Sequence, residues 1–209
     1  MLMTVAMLLV VCASPHQRYG LSSPMPRPDG TIRVATYNML NFFDRTDDPS
    51  LQGEYDDIGD NPGPTSDRRC RELAKVIRSI DADVLALQEV ESAEALAWFR
   101  DTYLRDLGYD HLASVDVGYY RGIEQSFLSR FPLKDVMVWP DADLAQVVRT
   151  GGGWEEVPAT REPLRFQRSP LCVTATTPDG YEVTLFSVHH KSGRYRWMRE
   201  AEALQIMSI

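Results

Sequence analysis

Five polar residues stand at the ends of apolar, strand-like runs or directly beside them: Asn38, Glu89, Glu124, Arg168 and His189. A buried polar group that finds no hydrogen-bond partner costs on the order of 1–3 kcal/mol. Apolar runs that repeatedly end in such groups are therefore unfavourable unless the groups bind one another or a ligand. The pattern predicts a single shared polar site built from distant parts of the chain.

Glu89 follows the apolar run that begins at Val84, at the point where that run gives way to a polar segment. Hard divalent cations such as Mg²⁺ prefer oxygen ligands and often take only one or two carboxylates, with water and phosphate oxygens completing the shell. Glu89 is therefore a candidate metal ligand. The residue type alone also allows an exposed loop acid or the N-terminal cap of a following helix.

Asn38 ends the first apolar run, where its amide could bind a phosphate oxygen or orient water around a metal. Asn is equally common where a strand closes into a turn, and Asn41 is expected to shape that turn.

His189 and His190 are adjacent in a strand-like run, so their side chains point to opposite faces and only one is expected to enter a site. An imidazole titrates near neutral pH and can carry a proton in a hydrolytic reaction. A strand histidine with a purely structural role is the alternative.

The elements that would position these residues follow from periodicity. Helical spacing after Ser66 predicts a helix that ends near Asp81, and a second helix is predicted from Ser92 to Leu107 with Gly108 as its stop. A last helix is expected from Tyr195 to about Ile206. Strands are predicted near 31–38, 83–89, 110–115, 123–130, 134–138, 169–176 and 181–190. This order indicates a layered α/β domain with mixed or antiparallel sheets.

Five segments carry a resemblance to a known family: VATYNMLNFFD, LALQEVES, RGIEQSFLSRFPL, FQRSP and LFSVHHKS. In this order they resemble the endonuclease/exonuclease/phosphatase family, the deoxyribonuclease-I-like metal-dependent phosphodiesterases. The resemblance covers about residues 31–209. It implies a four-layer α/β sandwich, in which helices flank two mixed, mostly antiparallel sheets, and hydrolysis of a phosphodiester with Mg²⁺, or with Mn²⁺ or Ca²⁺ in its place.

The resemblance also implies a role for each of the five residues. It makes Glu89 the metal ligand, places Asn38 in the catalytic and metal site, and selects His189 as the catalytic histidine of the H-x-K-S pattern. It makes Glu124 the carboxylate that holds His189 in its productive tautomer, and Arg168 the phosphate-binding residue.

Two of these assignments compete with simpler readings of the residues. Glu124 could instead form an ion pair with Arg121 at a strand edge. Arg161 and Arg165 lie close enough to Arg168 to take its role.

The final motifs of the resembling family, G-D-x-N and S-D-H, do not follow Ser192 in this sequence. We therefore expect a domain that is incomplete at its C-terminus and nearly inactive alone, because catalytic groups act as a unit. The alternatives are a non-catalytic binding or scaffold module with the same fold, and a gene fragment without independent function.

Charge and composition restrict the partners. The chain has 209 residues, 44% of them hydrophobic, and a net charge of -8 that is concentrated in the acidic stretch 44–60. Basic residues outnumber acidic ones over 161–200, which suits a phosphodiester substrate. This asymmetry permits nucleic acid without requiring it. No stable protein partner and no membrane span are predicted.

The N-terminus predicts export to the periplasm or the extracellular space. Residues 1–14 carry no charged side chain and read as a signal peptide, and 15–30 read as a Pro-rich linker before the domain at 31–209. A wrongly assigned start codon is the alternative. Export would permit a disulfide between Cys70 and Cys172, although two unconnected buried thiols are the favoured reading of the sequence.

Overall fold

Two β-sheets form the centre of the molecule in the computed structural model, which describes residues 23–46, 63–144, 164–193 and 195–209. The four-stranded sheet has the order β1-β2-β4-β3, and the three-stranded sheet has the order β5-β6-β7. The strands are β1 Val34–Phe42, β2 Val84–Val90, β3 His111–Ser114, β4 Glu124–Ser129, β5 Leu133–Val138, β6 Leu171–Thr176 and β7 Glu182–Ser187. Each predicted strand is present, with ends shifted by a few residues.

β2 is buried along its whole length because it lies between β1 and β4 and is covered on both faces. It runs parallel to β1 and antiparallel to β4. A parallel pair needs a long crossover, and the helix between β1 and β2 supplies it. The C-terminal end of β2 therefore emerges beside the end of β1, where the site residues were predicted.

The two sheets pack face to face. Val84 and Phe127 of the first sheet lie in one buried apolar cluster with Leu171, Val173 and other residues of the second. The second sheet is antiparallel throughout. β6 and β7 are hairpin partners, and β5 pairs with β6 across the longer segment that connects them. β2 and β7 lie in different sheets that face each other across this interface. The stacking of the sheets therefore brings the ends of the two strands together.

α1 (Asp67–Ile80) and α2 (Ala93–Tyr103) cover the outer face of the first sheet. Both begin at the expected serine caps, Ser66 and Ser92, whose hydroxyl oxygens accept backbone N–H groups in the first turn. The prediction that the second helix continues to Leu107 is wrong. The helix ends at Tyr103, Leu104 turns into the core, and a 3₁₀ turn (Arg105–Leu107) completes the segment.

α3 (Arg196–Ile206) packs through Ala201 against Leu144 and Phe166. The α/β fold class of two stacked sheets with flanking helices is confirmed. Across the described ranges, no helix is both long and apolar enough to cross a membrane.

Several sequence predictions concern positions outside the described residues. They are the leader at 1–14, most of the linker at 15–30, most of the acidic stretch and Arg161. Cys70 and Cys172 are both buried free thiols in the structure, so the disulfide that export would permit is not formed.

Candidate active site

Glu89 lies at a break in the pairing of β1 and β2. The register runs regularly to Asn38 opposite Gln88 and resumes only at Phe42 opposite Val90. Glu89 itself has a φ of 62°, a left-handed conformation that is uncommon for a residue other than glycine. A strand bulge of this kind re-aims a side chain, and strained backbone of this kind concentrates at functional sites.

The facing bulge in β1 holds the carboxylate of Glu89. Leu40 and Asn41 also have positive φ, at 55° and 54°. This conformation turns the backbone N–H of Asn41 toward Glu89, whose Oε2 accepts it at 3.0 Å. Only 8% of Glu89 is exposed, so the carboxylate is fixed in a largely buried position before any ligand binds.

Arg168 and His189 complete a compact group around the other oxygen of Glu89. His189 Nε2 lies 3.5 Å and Arg168 Nη1 lies 3.7 Å from Glu89 Oε1. Arg168 Nη1 and His189 Nδ1 are 2.7 Å apart. The fold thus brings together an acid, a base and a cation from β2, from the segment before β6 and from the segment after β7.

The chemistry of the guanidinium fixes the tautomer of His189. Arginine has donors only, so Nδ1 of His189 must accept from Arg168 and carries no proton. The proton of the neutral ring is then on Nε2, which faces Glu89. Burial is the main cause that lowers the pKa of His189, and the charge of Arg168 lowers it further, while Glu89 opposes both. A neutral imidazole with a donor at Nε2 is therefore the favoured form near neutral pH.

Arg168 is unusually well enclosed for a cation. It is 5% exposed, its guanidinium lies 5.1 Å from the centre of the Tyr119 ring, and its Nε is a buried donor without a partner. Burial lowers the pKa of Arg168, although an arginine remains charged in a protein. A buried donor with no acceptor is unfavourable, so this guanidinium is suited to an anionic ligand that would accept from it.

Comparison with known proteins identifies the family of the chain. The family model described as Endonuclease/Exonuclease/phosphatase family matches residues 35–206, which is most of the chain. The chain belongs to this family. No curated protein sequence matches the chain.

A solved structure supports the fold. The crystal structure of an endonuclease/exonuclease/phosphatase from Beutenbergia cavernae DSM 12333 is similar with a TM-score of 0.50 and 20% identity. The similarity covers 85% of this chain and 42% of that chain, so this chain spans less than half the length of its structural neighbour.

Asn38 lies opposite Gln88 in the pairing of β1 and β2, next to the position of Glu89. It is exposed, and its Oδ1 accepts the backbone N–H of Leu40 at 2.7 Å, which closes a local turn. Asn41 was expected only to shape the turn, but it also makes two contacts of its own. Its backbone N–H donates to Glu89, and its Oδ1 accepts from Arg121 at 2.8 Å. Arg121 is therefore paired with Asn41 and not with Glu124.

Glu124 is enclosed at the start of β4 and is not bonded to His189 in the part of the chain that the structure describes. It is 1% exposed, and its Oε1 accepts the backbone N–H of Val117 at 3.4 Å. Burial, aided by the nearby Asp116, raises the pKa of Glu124 to about 8. The neutral acid predominates at pH 7, and in this structure the tautomer of His189 is set by Arg168.

Two further residues support the site and had no distinctive sequence signal. Arg69 of α1 donates to the carbonyl oxygens of Met39, Leu40 and Asn41, and so stabilises the left-handed bulge that presents the Asn41 N–H. Glu202 of α3 accepts from the segments that carry Arg168 and His189. Both look like ordinary surface charges of amphipathic helices, and only their tertiary contacts distinguish them.

Proposed function

We propose that this chain is a Mg²⁺-dependent phosphodiester hydrolase domain with slow turnover. Membership of the family supports a hydrolase of the nuclease or phosphatase type. The observation that carries the proposal is the convergence of Glu89, Arg168 and His189 within 3.7 Å of one another at one end of the stacked sheets. An acid, a phosphate-binding cation and a proton carrier are the groups that this reaction requires.

The donor set fits a magnesium ion that is shared with substrate. One oxygen of Glu89 is occupied by Asn41, and the other lies beyond direct hydrogen-bond distance of His189 and Arg168. Among the described residues, no group of three or more His, Cys, Asp or Glu could hold a metal ion by itself. Mg²⁺ commonly uses one or two carboxylates with water and phosphate oxygens, whereas Ca²⁺ takes more oxygen ligands. Mg²⁺ or Mn²⁺ therefore suits Glu89 better than Ca²⁺.

Each side chain then has a distinct task. Arg168 would bind the phosphate through its free Nε–H and its remaining N–H groups. Its contact with Nδ1 of His189 would then be broken, which leaves Nδ1 free. The neutral ring of His189 would then accept, at Nδ1, the proton that water loses as it attacks phosphorus, and the leaving oxygen would take a proton from solvent as the P–O ester bond breaks. A cation bound at Glu89 would offset the charge on the phosphoryl oxygens. Asn38 is exposed at the last regular pair of β1 and β2, where its amide could contact the substrate or water around a bound metal.

Slow turnover is proposed because few proton-transfer groups reach this site. Within the described ranges, His189 is the one imidazole in contact with Glu89. Glu124, which is protonated at neutral pH, does not provide a second anion there. Removing one member of a catalytic group commonly costs several orders of magnitude in rate.

Titration calorimetry with Mg²⁺ in the presence of inorganic phosphate tests the proposal. We expect binding that Glu89→Gln weakens at least about tenfold, since the ligand loses its charge. Glu94→Gln, the same change at an exposed position of α2, should leave binding unchanged. Hydrolysis of bis(p-nitrophenyl) phosphate should be slow, dependent on Mg²⁺ and absent in Glu89→Gln.

The alternative is a phosphodiester-binding module without catalysis. The charge of Arg168, whose Nη1 lies 3.7 Å from Oε1 of Glu89, favours this alternative, because a carboxylate beside a guanidinium has less need of a metal ion. Phosphate binding that does not depend on Mg²⁺ or on Glu89 would support the module and reject the hydrolase.

A further inference from the structure

A buried carboxylate on α3 lies directly behind the candidate site. Glu202 is 1% exposed, and its neighbour Ala201 packs in an apolar cluster with Leu144 and Phe166. Burying a carboxylate is costly unless its oxygens are well supplied with donors. The contacts of Glu202 are therefore expected to serve a definite purpose.

Glu202 binds two separate segments of the chain at once. Its Oε2 accepts from the backbone N–H of Lys191 at 3.0 Å and lies 3.1 Å from Nδ1 of His190. Its Oε1 accepts the backbone N–H of Gln167 at 3.4 Å. The two oxygens of one carboxylate thus connect the segment after β7 with the segment before β6.

Those two segments carry the candidate catalytic pair. His189 directly precedes His190, and Arg168 directly follows Gln167. Each residue of the pair is therefore one peptide unit away from a group that Glu202 holds. The 2.7 Å contact between Arg168 Nη1 and His189 Nδ1 is made between two chain segments whose separation is set partly by this carboxylate.

We propose that Glu202 is a positioning residue that fixes the distance between Arg168 and His189, and so couples α3 to the candidate active site. The proposal rests on the proposed function for its catalytic meaning. Its structural content, the control of one distance by one carboxylate, can be tested without turnover. Even small displacements of reacting groups lower rates severely, so a clamp of this kind would be functionally important.

A double-mutant cycle measures the clamp directly. NMR titration gives the pKa of His189 with Arg168 present and after Arg168→Met, which should raise that pKa because a nearby positive charge is lost. The cycle is then repeated in a Glu202→Gln background. The direct effect of the Glu202 charge on His189 cancels between the two members of each pair.

We expect the increase caused by Arg168→Met to shrink to about half or less in the Glu202→Gln background, because Arg168 is no longer held against His189. Glu200→Gln makes the same charge change at a half-buried residue of α3 that pairs with the exposed Arg196, and it should retain the full increase. A carboxylate that only anchors α3 would alter the melting temperature and leave the increase unchanged in folded molecules.

Glu202→Asp provides a second background if Glu202→Gln does not fold. It keeps the charge but is too short to hold both segments, so the increase should again shrink. An increase of the same size in all backgrounds would overturn the proposal. Inorganic phosphate affinity is measured on the same samples: failure of the unmodified chain to bind phosphate would reject the proposed function and leave the result for the clamp intact.

Discussion

Arg168 and His189 are joined by a contact of 2.7 Å in which the guanidinium donates to Nδ1 of the imidazole. The contact places the ring proton on Nε2, toward Glu89. A buried cation thus performs the tautomer-fixing task that carboxylates often perform in hydrolytic sites. This arrangement makes the protonation of His189 dependent on Arg168.

The pKa of His189 should therefore rise when Arg168 is replaced by methionine, which keeps the apolar stem and removes the charge. The charge of Arg168 lowers the pKa of His189, and Glu89 would then act on the ring unopposed by that cation. NMR titration of the imidazole measures the change. Arg165→Met changes an exposed arginine that pairs with Asp141 and should leave the titration as it is. A lower or unchanged pKa in Arg168→Met would show that the two side chains are not in contact in solution.

Glu124 should make the protein less stable as the pH rises. Its pKa in the folded protein is about 8, well above the usual value for a glutamic acid, because the site is buried. The folded state therefore holds this proton more tightly than the unfolded state, and the resulting stability is complete in acid. It is lost progressively as the pH rises toward the folded pKa.

Glu124→Gln removes this dependence, because the amide does not ionise. As the pH rises from about 5 to 8, the variant should become more stable relative to the unmodified protein by a few kcal/mol in the free energy of unfolding. A tenfold change in proton affinity corresponds to about 1.4 kcal/mol. Urea unfolding at several pH values measures the difference. Glu182→Gln, an exposed change on β7, serves as the control, and parallel pH profiles for all three proteins would contradict the prediction.

The sequence predicted those site features that depend on local pattern. The apolar run of β2 followed by Glu89, and the serine caps of α1 and α2, are local signals, and the structure contains each of them. The order of polar strand ends also indicated which residues would be close, and Glu89, Arg168 and His189 are indeed brought together. Whether they catalyse hydrolysis remains a prediction.

The sequence could not predict the contacts that depend on backbone irregularity or tertiary packing. The positive φ of Asn41 turns its N–H to Glu89, and Asn residues in turns adopt many conformations. Glu202 lies on a helix whose other charged residues are exposed or half-buried, so its full burial follows only from how α3 packs. Glu124 was expected at His189, but its carboxyl faces the segment before β4.

Arg69 should stabilise the bulge that holds Glu89. Its guanidinium donates to three successive carbonyl oxygens of β1, and a buried hydrogen bond that involves a charged group contributes about 1.5–3 kcal/mol net. Because the bulge is partly open to water, we expect Arg69→Gln to lower the free energy of unfolding by about 1–2 kcal/mol. Amide hydrogen exchange at Asn41 should accelerate in the same variant. Arg71→Gln, an exposed change on the same helix, should stay within about 0.5 kcal/mol and leave that amide protected.

Ser187 connects the two sheets directly beneath the site. Its hydroxyl accepts from Nε2 of Gln88 at 3.0 Å and donates to the carbonyl oxygen of Leu87 at 3.2 Å. Gln88 precedes Glu89, and Ser187 lies two residues before His189, so the link joins the two strands that deliver these residues. Ser187→Ala would leave a buried amide donor and a buried carbonyl without this partner.

We expect Ser187→Ala to lower the free energy of unfolding by about 1–3 kcal/mol, the cost of leaving a buried polar group unsatisfied. The matched change is Thr184→Val on the same strand, where the hydroxyl contacts Thr174 at 3.3 Å at an exposed position and its loss should cost under about 0.5 kcal/mol. Urea unfolding measures both. Because the link fixes one sheet against the other, the loss in Ser187→Ala should be accompanied by a changed His189 titration, whereas Thr184→Val should leave it intact. Equal losses in the two variants would mean that the sheets are held together at this end by apolar packing alone.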